Sequence, residues 1–172
     1  VALLDGLPMA NHPLLEGRVL IDDPDDWGDA YLAAERLHGT AMASLIAHGD
    51  LSAPEVPLRR PIYARPILQP TGPVGRRVER TPAGLLLVDL IHQAVRRMFE
   101  SLPERPAVAP EVKVVSLALG DATRQFSGEM SALARLLDWL QHKYKVLFLV
   151  SAGNSNNSTL VLDTAPGTLH GM

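Results

Sequence analysis

The chain has 172 residues, 47% of them hydrophobic and 20% charged, which suits one domain with a sizeable core and excludes a disordered chain. A formal net charge of -3 and an isoelectric point near 6.1 provide no basic stripe for phosphate contacts, so nucleic acid is excluded as an expected partner. With no cysteine there is no disulfide framework, thiolate metal site or thiol nucleophile, and the compartment stays open between secreted and cytoplasmic.

The longest apolar stretches fall far short of the roughly 20 residues that cross a bilayer, so no membrane partner is expected. The first residue is Val1, not methionine, and an upstream segment is expected for that reason.

Strands and helices are predicted to alternate. Residues 1–4 are a wholly apolar run ending at Asp5-Gly6, the pattern of a strand buried on both faces. Residues 11–29 read as loop, with a short strand at 18–21 and an acidic cluster of Asp22, Asp23, Asp25, Asp26 and Asp29. That cluster has three readings: a solvated loop, a calcium site of hard oxygen ligands, or a surface for basic substrate side chains.

A helix starts near His38, with Met42, Leu45 and Ile46 on one side and Ala41, Ala43 and Ala47 allowing close approach to a sheet. Residues 61–68 form the next strand candidate, weakened by Pro66. Residues 69–80 read as a mobile loop of prolines and glycines, with Arg76, Arg77 and Arg80 solvated and open to nicking. Thr81-Pro82 is a helix start, and Leu87, Leu90, Ile91, Val95 and Met98 follow at helical spacing until Pro103 stops them.

A strand is predicted over 112–119, a helix over 129–144 with Leu133, Leu136, Leu137 and Leu140 inward, and a last strand over 146–150. Lys143 and Lys145 suit the negative end of that helix. The order predicts an α/β fold of three layers, a mostly parallel sheet with right-handed crossovers and helices on both faces. No repeat or low-complexity tract is present.

Three motifs sit at the ends of apolar runs, where an open parallel sheet presents its chemistry: VALLDG at 1–6, HGTAMAS at 38–44 and VSAGN at 150–154. They offer an acid, an imidazole and a carboxamide. Each alone has a plainer reading. Asp-Gly after a strand is ordinarily a turn, a histidine at a helix start ordinarily a surface or cap residue, and Gly-Asn ordinarily a left-handed turn.

Together, and in this order, they make the chain resemble the N-terminal part of the catalytic domain of the subtilisin-like serine peptidases, the subtilases. The family's aspartate after a strand, followed by His-Pro, is matched by Asp5-Gly6 and His12-Pro13. Its His-Gly-Thr is matched by His38-Gly39-Thr40, and its Ala-Gly-Asn by Ala152-Gly153-Asn154. The strand end that lines the family's substrate cleft, usually Ser-Leu-Gly, reads Ala118-Leu119-Gly120.

The resemblance implies His38 as general base, Asp5 as the acceptor that fixes its tautomer, and Asn154 as an oxyanion donor. It further implies a polypeptide substrate lying along Ala118, Leu119, Gly120, Ala152 and Gly153, with room for a sizeable apolar side chain at P1. No cofactor is implied, calcium at the acidic cluster excepted.

The nucleophile has no counterpart. Gly39-Thr40-Ala41-Met42-Ala43 echoes the family's Gly-Thr-Ser-Met-Ala with alanine for serine, but the preceding His38 and its early position favour the histidine motif. Gly167-Thr168-Leu169 is a weaker echo. Ser44, Ser116, Ser151, Ser155 and Ser158 lack the nucleophile's setting.

The expectation is therefore a single partial peptidase domain over 1–172, incomplete at the C-terminus and inactive alone. Its uncovered sheet edge would be completed by the missing C-terminal segment or a second copy. Two other classes compete. A non-catalytic relative kept as a protein-binding module fits Ala118 and the missing serine but not the intact Asp5, His38 and Asn154. A nucleotide-binding domain lacks both the Gly-x-Gly-x-x-Gly and the Walker lysine patterns.

Overall fold

A computed structural model describes residues 1–53, 56–120 and 129–151. Five parallel strands form the main sheet in the order β2-β3-β1-β6-β7: β1 Ala2–Asp5, β2 Val19–Ile21, β3 Ile62–Pro66, β6 Val114–Leu117 and β7 Leu147–Val150. A separate antiparallel hairpin pairs β4 Gln69–Thr71 with β5 Val78–Arg80. The helices are α1 Leu37–His48, α2 Leu87–Phe99 and α3 Ala132–Tyr144.

β1 is central because its side chains are apolar on both faces until the last. Leu3 packs with Ile62, Ala64 and the α1 residues Ala43 and Ala47 on one face. Ala2 and Leu4 pack with Tyr63, Val115, Leu117 and the α2 residues Ile91, Ala94, Val95 and Met98 on the other. The two-residue alternation along β1 and β3 thus puts α1 on one side, and α2 with α3 on the other. The α/β layers expected from the element order are present.

Several local expectations change. α2 begins at Leu87, five residues past Pro82, because Gly84 takes a left-handed φ of 81° and the chain between them makes a turn, with Leu85 N–H donating to the Pro82 carbonyl. The buried stripe of α1 is Gly39, Ala43 and Ala47, while Leu45 is 56% exposed. The sheet is approached through small side chains, not through the larger leucine.

Pro66 closes β3 without harm. Ile62 N–H points to the β2 side, bonding the Arg18 carbonyl, and Ile67 N–H to the β1 side, bonding the Asp5 carbonyl at 2.9 Å. The missing donor of Pro66 therefore faces the β2 side, where β2 has already ended at Ile21 opposite Ala64.

Residues 69–80 are a docked hairpin, not a mobile loop. Arg77 is 16% exposed and grips Glu35 through two bonds of 2.7 Å, and the Tyr31 hydroxyl donates to the Leu68 carbonyl at 2.8 Å. At the other end of the molecule Ser131 caps α3 by accepting from Ala134 N–H, and Lys145 closes it in a left-handed conformation.

Candidate active site at the carboxyl edge of the sheet

Asp5 is the last residue of the central strand and has no solvent exposure. The register pairs Asp5 with Pro66 on one side and Leu4 with Leu117 on the other, so Ala118 follows at the level of Asp5. β7 ends on the same row, Leu117 pairing with Val150 and Ser151 N–H donating to the Leu117 carbonyl. This edge is where a parallel sheet collects its functional groups.

His38 is the second residue of α1. Its Nδ1 lies 2.9 Å from Asp5 Oδ2 and 3.1 Å from Oδ1. Asp5 Oδ1 also accepts from Gly6 N–H at 2.8 Å. A carboxylate accepts, so Nδ1 carries the hydrogen and Nε2 is left as the basic nitrogen, on a ring whose side chain is 51% exposed. The arrangement holds an imidazole in one tautomer on a half-exposed side chain.

The other residues of the histidine motif explain how the contact is held. A side-chain carbon on Gly39 would sit 2.5 Å from the Gly6 carbonyl oxygen, so α1 reaches the end of β1 only because residue 39 is glycine. Thr40 donates its hydroxyl to the Arg36 carbonyl and accepts from Met9 N–H at 2.9 Å, tying the chain after Asp5 to the helix.

Burial is the main influence on Asp5 and raises its pKa from 3.8 to about 6, against the opposing pull of His38 and the Gly6 N–H. Glu79, on β5, pushes it the same way as burial. Glu79 itself is raised, again chiefly by burial. No local sequence signal singles Glu79 out, because it reaches the site only through the hairpin.

Of the residues expected to line a substrate cleft, Ala118 and Leu119 are half-buried and Gly120 is exposed just past β6. Ala152, Gly153 and Asn154 lie outside the described residues, as do Ser155, Ser158, His170 and the Gly167-Thr168-Leu169 echo. His12 and Pro13 form a turn in which His12 Nδ1 accepts from Leu14 N–H, apart from the Asp5–His38 pair.

Of the described serines, Ser151 follows β7 at this same edge. Ser44 lies on α1, Ser116 is buried in β6, Ser52 bonds Asp50, Ser101 accepts from Ala107 N–H, and Ser131 caps α3.

The acidic cluster divides: Asp25, Asp26 and Asp29 are exposed, as a solvated loop would have them, while Asp22, Asp23 and Asp25 are bonded within the protein. Asp22 takes two bonds of 2.7 Å from Arg97 and one of 2.6 Å from the Tyr63 hydroxyl. Asp23 accepts from Trp27 and Gly28 N–H, and Asp25 pairs with the buried Arg65 at 3.2 Å. Among the described residues no group of three or more acidic or histidine side chains is arranged to hold a metal ion. None of the described helices is long and apolar enough to cross a membrane.

Among solved structures the prenylagaramide maturation protease PagA matches with a TM-score of 0.54 at 18% identity, a likeness of fold that covers 89% of this chain and 45% of that one. The present chain therefore spans less than half of that protein. No curated protein matches. A sequence model of the subtilase family matches residues 1–169. Its span takes in the strand that ends in Asp5 and the helix that carries His38, and the chain belongs to the subtilase family of serine peptidases.

Proposed function

We propose that this chain contributes the acid, the base and the oxyanion donor of a subtilisin-type serine endopeptidase. The reading rests on one observation above all, the 2.9 Å contact between His38 Nδ1 and a carboxylate that has no solvent exposure. In the reaction, Nε2 of His38 takes the proton of a serine hydroxyl as its oxygen attacks the peptide carbonyl, and returns it to the leaving amine. Asp5 holds the ring and stabilises the imidazolium between those steps.

Asn154 follows the end of β7 and would donate its carboxamide to the negative oxygen of the tetrahedral intermediate. Substrate backbone would run along the edge beyond β6, at Ala118, Leu119 and Gly120, and Ala152 and Gly153 are proposed as further substrate contacts. The small side chain of Ala118 leaves space for a sizeable apolar P1 residue.

The nucleophile is assigned to sequence other than these 172 residues. The support is the sequence, in which the family's Gly-Thr-Ser-Met-Ala motif has no serine-bearing counterpart; among the described serines, Ser52, Ser101 and Ser131 are engaged in local bonds and Ser116 is buried in β6. Alone, the chain is then inactive, and it works with the polypeptide segment that carries the serine.

A fluorophosphonate probe tests both parts. The 172-residue chain is expected to stay unlabelled, and a longer polypeptide that also carries the nucleophile is expected to label at one serine and lose that labelling on His38→Ala. Labelling of the short chain at a single serine, or labelling of the long one that ignores His38→Ala, overturns the proposal.

A further inference from the structure

The Asp5–His38 pair is flanked by a carboxyl that the triad does not use. Glu79 is the middle residue of β5, and its carboxyl fills the space where a side chain on Gly6 would stand: a carbon placed there would meet Oε1 at 1.6 Å and Cδ at 2.4 Å. Oε1 is buried with no hydrogen-bond partner, although the Tyr31 hydroxyl lies against the same carboxyl. Gly6 adjoins Asp5 and donates its N–H to it. The third carboxyl is thus packed against the backbone that carries the first.

The groups that face Glu79 are Tyr31, Glu35, Asp5 and His38. His38 alone among them can carry positive charge. The guanidinium groups close by are engaged elsewhere: Arg77 grips Glu35, and Arg36 donates to the Gly28 carbonyl with its charge 6.0 Å from the Tyr31 ring centre. Glu79 repels the charge of Asp5 and attracts that of His38. One carboxyl therefore bonds the imidazole, and a second, packed against the neighbouring backbone, acts on it through charge.

We propose that Glu79 is a positioning residue of the peptidase site, held over Gly6 by the docked hairpin so that its carboxyl attracts the positive charge His38 acquires each time it takes a proton. The inference rests on the peptidase reading and deepens it. Glu79 neither donates nor accepts the proton in flight, which moves between the serine oxygen, His38 Nε2 and the leaving amine. Its contribution is charge at a fixed place, set by the hairpin that Glu35 and Tyr31 hold. Gly6 is glycine because the carboxyl occupies its side-chain position.

The test follows the His38 ring by NMR in the 172-residue chain labelled with nitrogen-15 histidine, across pH. In Glu79→Gln the midpoint of the His38 titration is expected to fall by about half a pH unit to one unit, the size expected when one partly screened opposite charge is removed nearby. Glu79→Asp, which keeps the charge but withdraws it by one methylene, is expected to move the midpoint less than half as far. It also serves if the glutamine variant fails to fold.

A glutamine variant with an unmoved midpoint overturns the inference, as does an aspartate variant that shifts as far as glutamine, since packing alone would account for both. Failure of the underlying reading has a different signature. The parent chain would then lack the low-field Nδ1 proton of a histidine bonded to carboxylate, and Asp5→Asn would leave the His38 titration unchanged.

Discussion

Asp5 and Asp22 lie at the same edge of the same sheet, one ending β1 and the other following β2, and their surroundings act on them in opposite senses. Asp22 meets a bidentate guanidinium, a phenol and the charge of Arg65, which together outweigh burial and hold its carboxyl below the ordinary value of 3.8. Asp5 meets one imidazole and one backbone N–H, and burial wins, raising it from 3.8 to about 6. A saturated carboxylate is a fastening; an undersupplied one is available for chemistry.

The two groups should leave opposite marks on stability. For Asp5 the folded state keeps a proton that the unfolded chain releases, so stability falls as pH rises from 3.8 to about 6. For Asp22 the unfolded chain takes up the proton first, so its contribution is complete above 3.8 and is lost as pH falls through its lower folded value.

The largest expected effect breaks the comparison at Asp5. In a polypeptide that includes the nucleophile, Asp5→Asn is expected to lower kcat/KM by about 10⁴-fold through loss of the correct tautomer. In the 172-residue chain the same change is expected to raise the urea midpoint at pH 7, an advantage that disappears below pH 4. A loss of stability at pH 7 would place Asp5 with Asp22.

Asp22→Ala comes next. It strands Arg97 and leaves Arg65, 6% exposed, with Asp25 alone, and is expected to cost about 3 kcal/mol in urea unfolding at pH 7. A cost under about half a kcal/mol would show that the network is worth no more than an exposed ion pair.

Gly39→Ala sharpens the comparison by moving the base away from the acid. With 2.5 Å to the Gly6 oxygen the helix must shift, at a cost of about 1–3 kcal/mol, and the low-field Nδ1 proton should vanish. A retained signal would mean that α1 can yield without parting the pair.

The smallest effect belongs to Arg77→Ala. Global stability is expected to change by less than about 1 kcal/mol, while trypsin cleavage after Arg76 accelerates as the hairpin loses its clasp on Glu35. Unchanged cleavage would indicate that Tyr31 and β4 hold the hairpin by themselves.

Much of this was legible in the residues. The apolar run before Asp5, the His-Gly-Thr start of α1, the leucine spacing of α3 and the valine-rich β6 mark the parallel sheet and its helices, because each element is short and its pattern local. The hairpin was not legible. Its proline and glycine content reads as loop, and what orders it is a pairing of Arg77 with a residue 42 positions earlier.

Leu45 misled for the same reason in reverse, since which side of α1 is buried depends on a close approach set by Gly39, Ala43 and Ala47. Within the candidate site the acid and base were readable from their motifs. Glu79 was not, because a single glutamate between Val78 and Arg80 acquires meaning only when the hairpin folds over Gly6.

The meeting of α1 with β1 through the backbones of Gly39 and Gly6 separates two design problems. The approach of His38 to Asp5 is set by main-chain contact at the two ends of a 33-residue interval and by the Met9–Thr40 bond just inside it. The exposed part of the intervening stretch, at Asp26 and Asp29, can change charge without touching that contact, whereas Tyr31 and Glu35 hold the hairpin that carries Glu79 and are tied to it. Variation at that surface leaves the contact between Asp5 and His38 in place.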